Sequence, residues 1–352
     1  MIALLLSGGL ALVISLFGTG WLARVLRTRG QSQPILELDA ANIAVPEHHH
    51  KAGTPTMGGL AILVAAATGY IVSHVRQGVV FSDQTLVVLF GIAVMAGIGF
   101  LDDSIKVRAR RNRGVFWKAK GLVTLALSFA IAGLLVALTD IDTRVSLTRA
   151  DLPGWELGPI GWTIWAGVII FATTNAVNVT DGLDGLASGT ALFGFVAFAG
   201  IAYWGFRNPG IYGAIVNPYD LAVLAIAFAG GCAGFLWWNA APARIFMGDV
   251  GALGIGAALA LLALTTNTHL LLLLICGLNV IEAGSVALQM SVFRVSGRTR
   301  RLFRLSPLHH HFEQIGWPET TVIIRFWLIA GLFVSGALGI YIADFTHQVS
   351  TP

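Results

Sequence analysis

Charged residues are scarce in this sequence, and their scarcity excludes a soluble globular protein. Only 11% of the 352 residues are Asp, Glu, Lys or Arg, whereas soluble domains contain about 25%. Hydrophobic residues make up 56% of the chain, and the mean hydropathy is +0.77. No polar interval is long enough to fold around a core of its own. We therefore predict an integral membrane protein with a single transmembrane domain over residues 1–352.

Cysteine is equally scarce, which argues against a thiolate-rich metal site and a disulfide framework. The two cysteines, Cys232 and Cys276, both lie in apolar runs and have no metal-binding or disulfide spacing. An HExxH zinc motif is missing as well. The cysteines are therefore predicted to be small packing residues.

No secretory leader, internal repeat or nucleic-acid partner is predicted. The first apolar run, Ile2 to Ala23, has no basic start and no clear cleavage site, so we expect a retained span. The absence of a repeat argues mildly against transporters built from duplicated halves. An isoelectric point near 9.3 more often reflects basic cytoplasmic loops in a membrane protein than binding to nucleic acid.

Long apolar runs are what the sequence does have, and ten of them reach the roughly 20 residues that a membrane span needs. The predicted spans of this all-α membrane protein cover residues 2–23, 57–75, 85–101, 119–139, 160–177, 188–204, 219–238, 250–266, 269–293 and 321–344. The ninth span carries Glu282 and Gln289, and a bend or break is expected there. Between the fourth and fifth spans, Thr143 to Leu147 is predicted to form one strand of a small hairpin.

The distribution of Lys and Arg predicts the orientation of the chain. Alternate loops hold 18 of the 22 basic residues, and the opposite loops hold only Arg76, Arg144, Arg149 and Arg207. Because cytoplasmic loops carry the excess of basic residues, the rich side is predicted to face the cytoplasm. An even number of spans then places both termini outside the cytoplasm.

Polar segments that are far apart in the sequence all fall on the predicted cytoplasmic side. They are His48–Gly59, Asp102–Asp103, Asn175–Gly189, Asn239 with Phe246–Asp249, and Ser306–Glu313. Charged side chains at the end of a membrane helix are costly unless they have partners or face water. We infer that these segments form one composite site.

The carboxylates of these segments predict a magnesium site and a phosphate-containing substrate. Asp181 and Asp184 are three residues apart, so a helix would place them on one face. Asp102 and Asp103 are adjacent, so one of them can bind a metal or act as a base while the other meets a neighbour. Carboxylates without cysteine suit Mg²⁺, which is usually bound by one or two carboxylates, waters and substrate phosphates. Asp249 completes the set.

Histidine and aromatic side chains add candidate substrate contacts. Imidazolium groups in the triplet His309–His311 would suit a pyrophosphate or a carboxylate. The triplet His48–His50 is equally compatible with an exposed loop and with a substrate contact. Phe246, close to Asp249, is a candidate for stacking on a flat base, although core or lipid packing explains an apolar ring as well.

Taken together, these motifs resemble the MraY family, the phospho-N-acetylmuramoyl-pentapeptide-transferases. The matching segments are Gly-Thr-Pro-Thr-Met-Gly-Gly (53–59), Leu-Asp-Asp (101–103), Asn-Ala-Val-Asn-Val-Thr-Asp-Gly-Leu-Asp-Gly-Leu-Ala (175–187), Phe-Met-Gly-Asp (246–249) and Pro-Leu-His-His-His-Phe-Glu (307–313). They span nearly the whole chain in the family's order. The acidic motifs belong to the wider polyprenyl-phosphate N-acetylhexosamine-1-phosphate transferase superfamily, whereas the histidine motif looks particular to the MraY branch.

The resemblance implies a dimeric, ten-helix enzyme of the bacterial inner membrane. Such an enzyme would transfer phospho-MurNAc-pentapeptide from UDP-MurNAc-pentapeptide to undecaprenyl phosphate with Mg²⁺. The products would be lipid I and UMP, in the first membrane step of peptidoglycan synthesis. Both a direct attack by the lipid phosphate and a covalent aspartyl intermediate stay open.

The resemblance also implies roles for individual residues. Asp249 would bind Mg²⁺, and the catalytic set would be Asp102, Asp103, Asp249 and His309. Asn178, Asp181 and Phe246 resemble a uridine pocket, and His310 and His311 would lie near the pyrophosphate and sugar. Further substrate contacts are predicted at Lys51, Thr56, Lys118, Asp184, Asn239 and Gln289.

Two segments depart from the family pattern, and two rival functions remain. Residues 33–39 lack the charged run that is usual before Lys51, and Val250 to Ala252 replace Thr-Gly-Ser. One rival is a sister transferase that uses UDP-GlcNAc, against which the histidine motif argues. The other is an ion-coupled transporter, which would place its charges near mid-span.

Overall fold

The computed structural model describes residues 1–29, 51, 53–77, 81–109 and 114–350. The first histidine triplet, at 48–50, and the departure at 33–39 lie outside the described residues. Within them the chain is a bundle of α-helices with one β-hairpin. The helices are α1 (Ile2–Thr28), α2 (Gly59–Gln77), α3 (Asp83–Ala109), α4 (Trp117–Leu138), α5 (Gly158–Thr180), α6 (Leu186–Arg207), α7 (Pro209–Tyr212), α8 (Pro218–Asn239), α9 (Gly248–Thr265), α10 (Leu272–Ile275), α11 (Gly277–Val295), α12 (Leu308–Gln314) and α13 (Glu319–Ser350).

Eight of the described helices are long and apolar enough to cross a membrane. They are α1, α3, α4, α5, α6, α8, α9 and α13. This confirms the prediction of a mainly helical membrane protein. The two other predicted spans coincide with α2, whose apolar part is shorter, and with α11, which contains buried polar side chains. The count of ten spans stays a prediction.

The predicted break in the ninth span is confirmed. Residues 269–293 are divided between the four-residue helix α10 and the longer helix α11, and Cys276 lies between them. Glu282 and Gln289 both belong to α11, where they are buried. These polar side chains have hydrogen-bond partners inside the protein, which are described below.

A small hairpin lies between α4 and α5, as predicted. Strand β1 (Arg144–Arg149) pairs antiparallel with β2 (Leu152–Glu156). The hairpin is attached to the bundle because the backbone oxygen of Ser146 accepts a hydrogen bond from the Leu270 amide at 2.9 Å. The Thr148 hydroxyl donates to Asp344 of α13 at 2.6 Å.

Helix α9 is the centre of the bundle, and its small residues allow its neighbours to approach closely. It is buried along almost its whole length, and α2, α3, α5, α6 and α8 pack around it. A Cβ added at Gly59 would lie 2.1 Å from the Cα of Gly251, and one added at Gly99 would lie 2.2 Å from the backbone oxygen of Asp249. In lipid, helices associate through such close van der Waals packing. The approach of α3 to the start of α9 positions the site.

Candidate active site

Three carboxylates meet where α3 ends and α9 begins. Asp102 and Asp103 lie in the last turns of α3 and are buried, and Asp249 is the second residue of α9. The Val250 amide donates to Oδ2 of Asp103 at 3.1 Å. The structure therefore brings together acidic residues that are about 150 positions apart in the sequence, as the composite-site prediction requires.

Two lysines hold these carboxylates together, and sequence reasoning missed both. Nζ of Lys106 lies 2.8 Å from Oδ2 of Asp102 and 2.8 Å from Oδ2 of Asp249. Nζ of Lys120 lies 3.2 Å and 2.5 Å from the same two oxygens. We call these four residues, together with Asp103, the acid–lysine cluster. Lys106 follows Asp102 by four positions on α3, a spacing that favours an ion pair and could have identified it.

Lys118, which the sequence had suggested, does not lie in this cluster. Its side chain is exposed, and its Nζ lies 5.4 Å from the centre of the Trp117 ring. Helix α4 begins at Trp117. Because residues two apart on a helix point to different faces, Lys120 reaches the carboxylates when Lys118 does not.

The loop that precedes α2 packs against the loop that precedes α9. The Phe246 amide donates to the Pro55 oxygen, and the Phe246 oxygen accepts from the Gly58 amide, both at 2.8 Å. Thr56 is buried, and its hydroxyl has no hydrogen-bond partner among the described residues. At Gly248, where φ is +74°, an added Cβ would lie 2.8 Å from the Thr56 hydroxyl and 2.6 Å from Oδ2 of Asp103. Glycine is required there by both conformation and space. The Phe246 ring itself is half-buried.

The central motif forms the turn between α5 and α6. Asn178, which is half-buried, lies in the last turn of α5, and Asp181 follows the helix. Burial, together with the negative charges of Asp249 and Asp103, raises the pKa of the Asp181 carboxyl to about 8. Asp181 is therefore within electrostatic range of the acid–lysine cluster.

Asp184 and Lys51 form a separate ion pair beside this turn. Nζ of Lys51 lies 2.8 Å from Oδ1 of Asp184 and 2.6 Å from Oε1 of Glu319, the first residue of α13. The Ala243 amide donates to the other oxygen of Asp184 at 2.8 Å. The pair thus ties the loop that contains Lys51 to the central motif and to α13.

Two predicted substrate contacts, Asn239 and Gln289, have their amide groups occupied by protein partners. Asn239 donates to the Ile245 oxygen at 3.0 Å and accepts from the Ser188 hydroxyl at 2.9 Å. Gln289 donates to the Phe303 oxygen at 3.0 Å and accepts from two backbone amides, both at 2.9 Å. In this conformation each side chain holds the shape of a loop next to the site.

The three histidines of α12 have three different surroundings. His309 is fully buried, and its Nδ1 lies 3.1 Å from Oε2 of Glu282. Nδ1 of His310 lies 2.8 Å from Glu313, and burial lowers the pKa of the His310 imidazole. Nδ1 of His311 accepts a hydrogen bond from the Arg304 amide at 3.2 Å.

The chemistry of the cluster fits a divalent cation, although the protein side chains do not form a complete cage. Among the described residues, no group of three or more His, Cys, Asp and Glu side chains is arranged to hold a metal. Mg²⁺ does not need such a cage, because waters and substrate phosphates complete its coordination. The carboxylate oxygens of Asp249 and Asp102 already form ion pairs with the cationic side chains of the two lysines.

An apolar groove runs along the bundle between α5 and α11. It has a volume of about 410 Å³ and is lined mainly by aliphatic side chains, with Trp165 and His269 at one end and Ala287 towards the other. The break between α10 and α11, at Cys276, lies along its wall. Such a groove can take up a hydrocarbon chain from the bilayer.

Comparison with known proteins identifies two family patterns. Residues 85–267 match the family described as glycosyl transferase family 4, and residues 51–63 match phospho-N-acetylmuramoyl-pentapeptide-transferase signature 1. The first match contains the acid–lysine cluster and the central motif. The second contains Lys51 and Thr56.

Curated relatives match almost the whole chain. A phospho-N-acetylmuramoyl-pentapeptide-transferase from Frankia alni is 43% identical, with 98% of each chain covered. The protein of the same name from Frankia casuarinae is 42% identical with the same coverage. The one from Streptomyces avermitilis is 43% identical, with 98% of this chain and 99% of the relative covered.

Proposed function

The chain belongs to the phospho-N-acetylmuramoyl-pentapeptide-transferase family, and we propose that the acid–lysine cluster is where its transfer reaction takes place. It is a transferase of peptidoglycan synthesis and a multi-pass protein of the bacterial cell membrane. The observation that carries the proposal is the convergence of Asp102, Asp103 and Asp249 around two ammonium groups. The two ammonium groups can bind an anionic phosphate substrate, and the carboxylates can bind the divalent cation that accompanies it.

The donor in this proposal is UDP-MurNAc-pentapeptide, and the acceptor is undecaprenyl phosphate. An oxygen of the acceptor phosphate attacks the β-phosphorus, which is bonded to the sugar. The bond from that phosphorus to the bridging oxygen breaks, and UMP leaves with the bonding electrons. Mg²⁺, when bound by Asp249 and Asp102, supplies positive charge to pyrophosphate oxygens.

The two adjacent carboxylates differ in their hydrogen bonds, and this difference supports different roles for them. Asp102 accepts from Lys106, Lys120 and the Val115 amide, so its oxygens are already occupied by protein donors. Asp103 accepts from the Val250 amide, and its Oδ1 lies 4.0 Å from Lys106, so it is held less closely by the lysines. We therefore assign proton removal from the acceptor phosphate to Asp103. Asp102 holds the lysines in place.

The remaining polar side chains around the cluster supply the donor pocket. Phe246, half-buried next to Asp249, stacks on the uracil, and Asn178 with Asp181 binds the same nucleoside. The Thr56 hydroxyl, which has no hydrogen-bond partner in the part of the chain that the structure describes, can contact the pyrophosphate. Lys51, at present paired with Asp184, contributes a further positive charge.

The groove between α5 and α11 accommodates the prenyl chain of the acceptor. Its apolar lining matches a hydrocarbon chain, so only the phosphate headgroup has to reach the acid–lysine cluster. With α2 and α11 counted as spans, ten helices cross the membrane and both termini lie outside the cytoplasm. A homodimer completes the proposed assembly.

Transfer in detergent solution tests this function directly. The purified protein, given UDP-MurNAc-pentapeptide, undecaprenyl phosphate and Mg²⁺, is expected to form lipid I and release UMP. Lipid I is measured by chromatography of a labelled product. Replacement of the donor by UDP-GlcNAc should give little transfer. Faster transfer from UDP-GlcNAc would establish the sister transferase instead, and no transfer from either donor by folded protein would refute the proposal.

Substitution of Lys120 and of Lys118 should distinguish a residue of the acid–lysine cluster from an exposed neighbour. We expect Lys120→Met to lower kcat on the order of 10²-fold, because a positive charge 2.5 Å from Asp249 is lost. Lys118→Met should leave kcat nearly unchanged, since that side chain is exposed. Steady-state kinetics on the two variants makes the comparison. An equal loss in both would mean that the loop, rather than the Lys120 ammonium, matters.

A further inference from the structure

Glu282 and His309 form a fully buried pair that the reaction scheme above does not use. Neither side chain is exposed to solvent. Oε1 of Glu282 accepts the backbone amide of His309 at 3.2 Å, and Oε2 lies 3.1 Å from Nδ1 of the same residue. A carboxylate without solvent is costly unless hydrogen bonds stabilise it. Both oxygens of Glu282 are therefore committed to His309.

This pairing determines which nitrogen of His309 carries a hydrogen. An ionised carboxylate can only accept hydrogen bonds, so the contact with Oε2 requires a hydrogen on Nδ1. In a neutral imidazole the other nitrogen then has a lone pair and no hydrogen. Nε2 of His309 is therefore a hydrogen-bond acceptor. An imidazolium would instead leave an N–H group buried without an acceptor among the described residues.

Nε2 of His309 has no partner among the described residues, although it is buried. Buried polar atoms in proteins are almost always hydrogen-bonded, so an unpartnered one indicates a missing ligand. The atom faces the central motif, because a Cβ added at Gly182 would lie only 2.2 Å from it. Gly182 follows Asp181, whose carboxyl interacts electrostatically with Asp249 and Asp103. The unpartnered nitrogen therefore lies against the turn of the central motif, next to Asp181.

We propose that Glu282 is a positioning residue that fixes His309 as a hydrogen-bond acceptor for the amino sugar of the donor. This inference rests on the proposed function and deepens it by locating one subsite. A pyrophosphate presents only acceptor oxygens near neutral pH, so a lone pair on Nε2 repels it. The N-acetyl N–H and the hydroxyls of an amino sugar are donors that Nε2 can accept. The sequence had favoured histidine as an imidazolium donor to the pyrophosphate, and the geometry of His309 reverses that role.

Nitrogen NMR on the full chain in detergent tests the pairing without any turnover. In protein labelled with ¹⁵N-histidine, the His309 signals are identified by their loss in His309→Asn. At pH 7.5 we expect Nδ1 to be protonated and Nε2 to be unprotonated. UDP-MurNAc-pentapeptide should move the Nε2 resonance, whereas UDP, which has the pyrophosphate but no sugar, should leave it in place. Protonation of Nε2, or an equal response to UDP alone, would overturn the proposal.

Variants of Glu282 connect the pairing to the reaction. In Glu282→Gln the side-chain NH₂ group must face one of the two N–H groups of His309, so we expect the hydrogen to move to Nε2. We expect kcat/KM to fall by about 100-fold or more, the usual effect of losing a catalytic hydrogen-bonding role. Glu282→Asp keeps a carboxylate and should restore part of the rate and the Nδ1–H signal.

The matched control is Ser285→Ala on the same buried face of α11. The Ser285 hydroxyl donates only to the backbone oxygen of Glu282, at 2.7 Å. The Ser285→Ala variant should keep the wild-type tautomer of His309 and nearly the wild-type transfer rate. Glu282→Gln with unchanged spectrum and rate would show that the pair is merely structural. Absence of transfer by the wild type would count against the proposed function alone, because the NMR result does not depend on turnover.

Discussion

Replacement of Asp249 by Asn is expected to abolish lipid I formation almost completely, with a fall in kcat on the order of 10³-fold. The substitution keeps the size of the side chain but removes the charge that Lys106 and Lys120 share at 2.8 and 2.5 Å. The repulsion between the two neighbouring ammonium groups would then be less compensated, and the proposed metal would lose one of its two carboxylates. Transfer assays over a range of Mg²⁺ concentrations should show both a lower maximum rate and a weaker response to Mg²⁺.

A suitable control for this variant is Asp83→Asn. Asp83 is an exposed acidic residue in the first turn of α3, at the end of that helix far from Asp102 and Asp103. The Asp83→Asn variant should retain the wild-type transfer rate and the wild-type response to Mg²⁺. Melting curves in detergent establish that both variants are folded. A folded Asp249→Asn protein with normal transfer would remove this residue from the active site.

The Gly99→Ala variant is expected to damage both stability and activity. The added Cβ would lie 2.2 Å from the backbone oxygen of Asp249 and 2.5 Å from the Val250 nitrogen. Because these are backbone atoms, α3 and α9 must move apart. Overpacking of this kind costs about 1–3 kcal/mol or more. The movement would also separate Asp103 from the Val250 amide, so we expect at least a roughly tenfold loss of kcat.

Gly97→Ala provides the matched comparison, two residues earlier on the same helix. Nothing lies within 4 Å of the Cβ that it would add. Alanine also favours a helix over glycine by about 1 kcal/mol. Its melting temperature should therefore equal or exceed that of the wild type. A similar loss of stability in both variants would show that the close approach of α3 to α9 is unimportant.

The sequence was sufficient to predict the helical membrane fold, because apolar runs, scarce charge and basic loops report directly on the bilayer. It also predicted that Asp102, Asp103 and Asp249 would meet, since the predicted topology places all three on one side of the membrane. The choice between Lys118 and Lys120 could not be made from sequence, because it depends on where α4 begins. A shift of two residues turns a side chain from the site to the exposed surface.

Buried hydrogen bonds could not be predicted from the sequence either. Glu282 was recognised only as a polar residue that should interrupt a span, and its partner lies 27 residues away across a loop. The amide groups of Asn239 and Gln289 were predicted to contact substrate, whereas they hold backbone segments in this conformation. Polarity alone does not distinguish a side chain that is available to bind a ligand from one whose hydrogen-bonding groups already have protein partners.

The central position of α9 has a consequence for the synthesis of the protein. Helices α2, α3, α5, α6 and α8 pack against α9 and precede it in the chain, whereas the four-residue α10 also contacts α9 and follows it. During insertion into the membrane, these five helices are therefore present before the helix that fills the space between them. Asp249, at the start of α9, enters with it. A ribosome must have added more than two-thirds of the residues before the nascent chain possesses an active site, so earlier products are inert.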